Sequence, residues 1–128
     1  MLKSITANFL DYSKKQSNNS SLVVSLTCGE SKLLFCGDAL ELRLNELINA
    51  QISQYDVVKL PHHGTYIENY PEFLDMVSPT YCVVTDSKKN PIEVDTFAIL
   101  VEREIETYET RYGTVSIDVN ENGIVITQ

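Results

Sequence analysis

The sequence is short of the residues that mark several large classes of protein. It has no tryptophan and only three cysteines, Cys28, Cys36 and Cys82, with no Cys-x-x-Cys spacing. An odd number of cysteines, each inside an apolar stretch, predicts buried thiols in a reducing compartment and makes disulfides unnecessary. No segment approaches ~18 uninterrupted apolar residues, and the N-terminus has no long apolar core, so neither a membrane span nor a signal peptide is expected. We therefore expect a cytoplasmic protein.

Basic residues are also few. The chain carries 10 Lys and Arg against 18 Asp and Glu, a net charge of −8, and its basic residues cluster only as the pairs Lys14-Lys15 and Lys88-Lys89. A protein that tracks nucleic acid needs a basic stripe along the phosphates. Stable binding of nucleic acid by this chain alone is therefore not expected. Chemistry on a phosphate ester stays open, because bound metal ions reverse the local potential.

The sequence does contain enough apolar residues for one core. Its 128 residues are 43% hydrophobic, and a chain of this length buries roughly two-thirds of its unfolded surface. No internal repeat, low-complexity tract or domain boundary is visible. We therefore expect residues 1–128 to form a single domain. Residues 1–20 are a polar lead-in, with a short strand or amphipathic turn over 1–12 and a loop over 13–21.

Hydrophobic patterning predicts strands that alternate with helices. The pattern begins with a hairpin whose strands, 22–28 and 33–36, flank a four-residue turn. It ends with a second hairpin within 113–127, whose strands are joined by residues 120–123 with the turn signal Asn122-Gly123. Between them the predicted elements are helix 39–49, strand 55–60, helix 71–77, strand 81–85, helix 95–104 and strand 106–110. This order predicts an α/β fold with a sheet of mixed direction.

Two strand ends in this pattern carry the residue types of a metal site. The run 33–36 ends in Gly37-Asp38, and the run 55–60 ends in Pro61-His62-His63-Gly64, which holds both histidines of the chain. Ligands of α/β proteins bind at the carboxyl ends of strands. Imidazole and carboxylate groups bind borderline metals such as zinc. Asp38, His62 and His63 are therefore candidate ligands.

Each candidate also has a simpler structural interpretation. A carboxylate at a helix start is a common N-cap and faces the positive end of the helix dipole, so Asp38 alone more often indicates a cap. Two adjacent histidines in a loop can be a solvated pair at the surface. The occurrence of both motifs at strand ends favours a metal site over coincidence.

Three further groups are interpreted as structural. The cysteines more often pack in cores than react. Residues after the strand 81–85 could line the same rim as the candidate ligands, but a solvated turn is the simpler interpretation for Asp86, Lys88, Lys89 and Asn90. The acids of the last predicted helix and strand are interpreted as an exposed face, formed by Glu102, Glu104, Glu106 and Glu109.

These motifs resemble the C-terminal half of a metallo-β-lactamase-fold hydrolase. They are most similar to the hydrolase domain of bacterial competence DNA-uptake channel proteins, over about residues 18–128. The specific blocks are Leu33–Asp38 and Asp56–Thr65, and supporting ones are 19–23, Pro79 with the strand after it, and 108–115. The resemblance implies a mixed sheet with helices mainly on one face, half of the αββα fold.

The resemblance also implies roles for the candidate residues. In the family the Gly-Asp carboxylate bridges two metal ions, which is the role implied for Asp38. Related enzymes have the ligand histidine directly before a glycine, so His63 is the first choice, and His62 is an alternative ligand or supports one. Zinc or manganese held there would activate water and clamp a phosphodiester or acyl oxygen. Asp38 and His63 would then be the catalytic pair.

The chain departs from the family in its ligand set. The family's His-x-His-x-Asp-His block and a further histidine belong to the N-terminal half of the fold and are absent here. A Gly-His-Pro segment is also missing, and Asn90–Glu93 stands in its place. A hydrolytic zinc takes three protein ligands and a water. The chain alone is therefore expected to be catalytically incomplete.

Half of a two-sheet fold is expected to leave the inner face of its sheet uncovered. That face is expected to carry Val23, Leu34, Val58 and Val83, and a large apolar patch rarely stays exposed. The expected cover is a second copy in a two-fold dimer, a separate chain or a missing segment. An alternative hypothesis is a non-enzymatic binding or regulatory module that associates through this face. A weaker one is an unrelated α/β domain with a coincidental histidine pair.

Overall fold

The computed structural model describes residues 2–5, 14–52 and 54–128. The strands in these ranges are β1 (Leu2–Ile5), β2 (Val23–Cys28), β3 (Ser31–Phe35), β4 (Val57–Lys59), β5 (Tyr81–Val84), β6 (Glu106–Glu109), β7 (Ser116–Asn120) and β8 (Gly123–Thr127). The α-helices are α1 (Glu41–Asn49), α2 (Tyr70–Val77) and α3 (Val94–Glu102). The order of elements predicted from residue 22 onwards is confirmed.

Six strands form one mixed sheet in the order β1-β2-β3-β4-β5-β6. β1, β2 and β3 pair antiparallel, whereas β3, β4, β5 and β6 are parallel neighbours. Helices α1, α2 and α3 make the three crossovers between the parallel strands. The predicted α/β class with a mixed sheet is confirmed. The carboxyl ends of the four parallel strands share one edge of the sheet, which is called the carboxyl edge below.

All three helices pack on one face of the sheet. Each contributes fully buried side chains to a single core, among them Leu44 from α1, Phe73 from α2 and Leu100 from α3. The sheet residues in this core include Val23, Leu34, Val58, Cys82 and Val84. The strands alternate between this face and the opposite one, so their near-continuous apolar runs fit a sheet that is covered on both sides.

The C-terminal hairpin of β7 and β8 covers the other face. Leu33, Val57 and Val83 are buried there, against a set of partly buried hairpin side chains: Val115, Ile117, Val119, Ile124 and Ile126. The expectation that the four named face residues would lack cover is therefore wrong. Three of them lie under the helices, and Val83 is 6% exposed under the hairpin. The cause is that neighbouring strand positions point to opposite faces, and the hairpin folds back over the sheet.

Both hairpin turns differ from their predicted positions. Cys28 pairs with Ser31, so the first turn is the two residues 29–30 and not four. Gly29 has φ +58°, which glycine adopts without a side-chain penalty. Asn120 pairs with Gly123, so the last turn is the two residues 121–122, whereas the predicted connection was the four residues 120–123. In both cases the strands extend further towards the turn than the apolar pattern indicated.

The polar run at 13–21 contains a 3₁₀ helix, Lys14–Ser20, where a loop was predicted. Ser20 Oγ donates to the Ser17 carbonyl at 2.6 Å, and Ser21 N donates to the Asn18 carbonyl at 3.0 Å. Short polar side chains make such local bonds to the backbone, which favours a short tight helix. Leu2–Ile5 is a strand, and the rest of the predicted lead-in up to residue 13 lies outside the described residues.

Among the described residues, no helix is long and apolar enough to cross a membrane.

Candidate functional site

The Gly-Asp and His-His-Gly motifs meet at the carboxyl edge of the sheet. Asp38 follows β3, and His63 follows its parallel neighbour β4. His63 Nε2 lies 3.5 Å from Asp38 Oδ1, with the two side chains 57% and 48% exposed. The pair is therefore open to solvent on one side, and a further group can approach it.

Asp38 does not cap α1. The helix begins at Glu41, its N-cap position is Leu40, and no side chain caps it. The backbone N–H of Asp38 instead donates to Ser21 Oγ at 3.3 Å. The N-cap interpretation of Asp38 is wrong, because two residues, Ala39 and Leu40, separate this carboxylate from the first helical residue, Glu41.

The two histidines lie in a turn with unusual backbone angles. His62 has φ 45° and His63 has φ 57°, both in the left-handed region, which costs roughly 1–3 kcal/mol for each non-glycine residue. His62 N donates to the Gly37 carbonyl at 3.0 Å. The buried Tyr70 hydroxyl donates to the Pro61 carbonyl, also at 3.0 Å. Contacts from the segment after β3 and from α2 thus hold the turn in place.

Thr85, at the end of β5, fixes the His63 ring. His63 Nδ1 lies 2.7 Å from the Thr85 carbonyl and 3.0 Å from Thr85 Oγ1. A carbonyl oxygen only accepts hydrogen bonds, so Nδ1 carries a proton and donates. In neutral imidazole the other nitrogen, Nε2, then presents a lone pair towards Asp38 Oδ1. Two electron-pair donors face each other across 3.5 Å, and a cation between them would stabilise this arrangement.

His62 is directed elsewhere. Its Nε2 lies 3.3 Å from Asn18 Nδ2, and since an amide nitrogen only donates, Nε2 accepts. His62 Nδ1 is buried and makes no hydrogen bond to the described residues. The two imidazole centroids are 6.3 Å apart. The structure therefore brings Asp38 and His63 together and turns His62 towards the segment before β2.

Lys59 is a residue of this edge that the sequence reasoning missed. Its Nζ donates at 3.2 Å to the Gly37 carbonyl, which also accepts from His62 N. Burial lowers the pKa of Lys59, while the negative charge of Asp38 acts in the opposite direction. The signal available in the sequence was a lysine inside an otherwise apolar strand. Lys59 thus ties the two strand ends together.

Asp86 is a buried carboxylate, and its interpretation as part of a solvated turn is wrong. The side chain is 0% exposed. It accepts hydrogen bonds from Ile92 N and Arg111 N, both at 3.1 Å, and the Asp86 carbonyl accepts from Thr110 Oγ1 at 2.8 Å. The solvated interpretation holds only for the exposed segment 87–90. Asp86 anchors that segment to the chain that follows β6.

A cleft of about 670 Å³ opens beside His63. The segment after β5 forms much of its wall. Most of the residues that line it, besides His63 and Pro91, are of polar type: Thr65, Thr85, Asp86, Ser87, Lys89, Asn90 and Glu93. Asp86, Lys89 and Asn90 therefore share the rim of the candidate ligands, as the strand-end argument allowed. A molecule in the cleft would touch His63 from the side away from β3.

Glu109, interpreted from the sequence as exposed, is 7% exposed. Its carboxylate lies 2.6 Å from Arg111 Nη2. Burial raises the pKa of Glu109 above its usual 4.5, and the Arg111 charge acts in the opposite direction. The exposed interpretation is correct for the other three acids of that set, Glu102, Glu104 and Glu106.

The raised pKa of Glu109 gives a pH prediction. The folded chain holds this proton more tightly than the unfolded chain, so the contribution of Glu109 to stability falls as pH rises above about 4.5. Glu109→Gln cannot titrate at this position, so its stability relative to wild type should increase from pH 4 to pH 7. Urea unfolding at both pH values measures this. Glu104→Gln, at an exposed site, should show no such trend, and the same trend in both variants would contradict the prediction.

The cysteines offer no nucleophile at this edge. Burial raises the pKa of Cys36 to about 12 and also raises that of Cys82, so both stay protonated near neutral pH. All three cysteines are free thiols. The prediction of buried core thiols is confirmed for these two, whereas Cys28 is only partly buried.

Asp38 and His63 fit two ligand positions of one metal ion. Donors at about 2.0–2.2 Å from a tetrahedral ion, on adjacent corners, lie roughly 3.3–3.6 Å apart, and the observed separation is 3.5 Å. The described residues contain no group of three or more His, Cys, Asp or Glu side chains that could hold a metal. The described part of the chain therefore supplies a matching pair of donors but not a complete hydrolytic site.

Comparison of the chain with protein-family models finds no match, and comparison with curated proteins finds none either.

Proposed function

We propose that this chain is one half of a metal-dependent hydrolase of the metallo-β-lactamase type, which completes its site with ligands from another polypeptide segment. The observation that carries the proposal is the geometry of His63. Nδ1 donates to the Thr85 carbonyl, and Nε2, which carries a lone pair in the neutral imidazole, faces the Asp38 carboxylate at 3.5 Å. Ligand histidines are commonly held in this way, by a hydrogen bond from the ring nitrogen that does not bind the metal.

The architecture supports the same proposal. The carboxyl ends of β3, β4 and β5 carry Asp38, His63 and Thr85 along one edge. Helices cover one face of the main sheet, and the β7–β8 hairpin forms a second layer of strands on the other face. Half of an αββα sandwich would have this arrangement of a helical layer, a sheet and the beginning of a second sheet.

Each residue of the site has a proposed role. Asp38 and His63 hold the ion, zinc or manganese, which when bound would polarise a substrate oxygen and activate water. Thr85 orients the imidazole. His62 is less favoured as a ligand, because its Nε2 already accepts from Asn18. Its backbone N–H positions the Gly37-Asp38 turn instead.

The substrate class is proposed by analogy and by the lining of the cleft. Hydroxyls, an amide and Lys89 line the space beside His63 together with the acids Asp86 and Glu93. These groups suit a hydrogen-bonding substrate, and a phosphodiester would need the bound metal ion to offset the negative charges. The remaining ligands would approach Asp38 and His63 from their open side, from a second copy of the chain or from a different chain. A long nucleic acid would also need basic surface from that partner, since this chain has a net charge of −8.

Metal titration of the purified chain tests the proposal. Zinc added to the metal-free protein should bind at one site per chain, and Asp38→Ala or His63→Ala should raise the dissociation constant at least about tenfold, because each removes one of two donors. Isothermal calorimetry gives both values, and manganese provides a second probe. Asp75→Ala, which removes an exposed carboxylate of α2 paired with Arg103, is the matched control. Its zinc affinity should equal that of the wild type.

His62→Ala separates the two candidate ligand histidines. If His63 is the ligand, His62→Ala should lose far less zinc affinity than His63→Ala. The proposal fails if wild type, Asp38→Ala and His63→Ala bind zinc with the same affinity. It also fails if none of them binds zinc and the polypeptide that associates with this chain has no metal-binding side chains to add.

The second candidate function is a non-enzymatic binding or regulatory module. The lack of a third donor among the described residues favours it. A second observation counts against it, because the hairpin already occupies a large part of the sheet face through which such a module was expected to associate. This alternative requires a metal-free chain that still binds its partner, so the same titration, followed by size-exclusion chromatography with the partner, distinguishes the two functions.

A further inference from the structure

Helix α3 exposes a row of apolar side chains to solvent. Val94 is 82% exposed, Val101 is 58% exposed and Phe97 is 41% exposed, and Ala98 between them is exposed as well. At 100° per residue these four positions fall within an arc of roughly 100° on the helix. They form one continuous strip along α3, which is called the α3 ridge below.

The α3 ridge is additional to the face that anchors the helix. Thr96 and Leu100 are buried and hold α3 against the core, and the ridge points away from them. A helix of a soluble domain normally has polar residues opposite its buried stripe, whereas one that is apolar on both sides is normally covered on both. The described part of the chain covers only one of these sides, so the ridge is a candidate interface.

Most of the charged side chains around the ridge are acidic. Asp95 and Glu102 flank it along the helix, and Glu93 and Glu104 lie just beyond its two ends, all of them exposed. Arg103 directs its guanidinium mainly to Asp75, with Nε 2.7 Å from Oδ1, and its Nη1 lies 3.6 Å from Glu102 Oε2, which offsets part of the charge of Glu102. An apolar strip with an acidic border is complementary to a partner that has an apolar strip with a basic border.

We propose that the α3 ridge docks a basic amphipathic helix of another protein, with apolar side chains on Val94, Phe97 and Val101 and Lys or Arg beside the bordering acids. A second copy of this chain fits poorly, because it would bring the same acids against each other. The chain's own strand β1 does not cover the ridge either, because β1 lies at the opposite end of the sheet order from β6, next to which α3 packs. This inference does not depend on the metal site.

The size of the ridge sets the strength expected. A nine-residue helix is about 14 Å long, so the contact area stays below the roughly 1,200 Å² of stable complexes. The interaction should therefore be weak and reversible, with salt reducing the part that comes from the acidic border. Such contacts suit a regulatory or recruiting partner rather than a permanent subunit.

A designed peptide pair tests the inference on the full chain. One peptide of about 18 residues has leucines spaced i, i+3, i+4, i+7 and lysines elsewhere, and the other replaces every lysine with glutamate. In NMR titrations of the labelled protein, the lysine peptide should cause saturable shift changes centred on α3. The glutamate peptide should bind at least about tenfold more weakly.

Variants locate the binding. Val94→Ser with Val101→Ser should weaken the lysine peptide about tenfold, and both sites are exposed enough to leave the fold intact. Val125→Ser, a 57% exposed valine of β8, is the matched control and should change affinity less than about twofold. Asp95→Lys with Glu102→Lys should reverse the preference towards the glutamate peptide.

Three results would overturn the inference. The first is shift changes that spread over the acidic surface and persist in the double-serine variant. The second is an unchanged peptide preference after charge reversal. The third is a wild-type dimer in light scattering that becomes monomeric in the double-serine variant, which would make the occupant a second copy.

Discussion

Gly64→Ala is expected to destabilise the fold by about 2–4 kcal/mol and to displace the histidine turn. Gly64 has φ +79°, where a Cβ is strained, and that Cβ would lie 2.7 Å from Ile92 Cγ1 and 2.9 Å from Val84 Cγ1. Both neighbours are buried in the core, so neither can move away cheaply. Strain and overlap therefore add. Urea unfolding measures the loss, and the His63 imidazole signals should report the displaced ring.

Gly29→Ala is the matched control for this prediction. Gly29 has a similar left-handed φ of +58°, but the nearest atom to its added Cβ is 3.8 Å away. It should lose only the cost of the backbone strain, about 1 kcal/mol. If Gly64→Ala and Gly29→Ala lost the same free energy of unfolding, close packing around Gly64 would contribute nothing to the cost of the substitution. The explanation of how the histidine turn is held in place would then be wrong.

Asp86→Ala is expected to destabilise the fold by about 3 kcal/mol. The change removes the acceptor of Ile92 N and Arg111 N, and it leaves the Arg111 guanidinium, 3.5 Å from this carboxylate, with less compensating charge. The segment that forms the cleft wall should loosen at the same time. Urea unfolding measures the first effect, and amide hydrogen exchange of Ser87–Ile92 measures the second.

Asp86→Asn provides the internal comparison. It keeps one carbonyl oxygen that can accept one of the two backbone bonds, so its loss should be roughly half of that for alanine. A change of less than about 0.5 kcal/mol in Asp86→Ala is the behaviour of a solvated turn residue. That outcome would contradict the burial of this carboxylate.

The convergence of Asp38 and His63 was accessible from the sequence because it follows from topology. An apolar run, a turn, a helical period and a second apolar run predict parallel neighbours, and residues directly after such strands must share an edge. Gly37-Asp38 and His62-His63 stand directly after two such runs. The order of elements was accessible for the same reason, since each element leaves its own periodicity in the chain.

The partners of these residues were not accessible. His63 meets Thr85 from 22 positions away, and a threonine at the end of an apolar run carries no sign of that contact. The choice between His62 and His63 depends on backbone angles that a sequence of two identical residues cannot distinguish. The local sequence pattern predicts which helix or strand a residue belongs to, but it does not predict which side chain from a distant part of the sequence contacts that residue.

The buried acids show the same limit for charge. Asp86 and Glu109 looked like solvent-exposed residues because acids usually are, yet Arg111 allows both to be buried. The cover over the sheet also escaped prediction. The final hairpin was predictable from its alternating pattern. Its packing on Leu33 and Val57 was not, because that packing depends on tertiary contacts between two apolar faces that are distant in the sequence.

The β2–β3 hairpin closes much less chain than the parallel pairings of the main sheet. Thr27 and Lys32 pair across five positions, whereas Val57 pairs with Tyr81 across 24 and Tyr81 with Glu106 across 25. Loop closure makes such distant pairings slower to form, so the antiparallel hairpin is the natural nucleus and the parallel strands add later. The edge that gathers Asp38, His63 and Thr85 is thus among the last parts of the molecule to assemble.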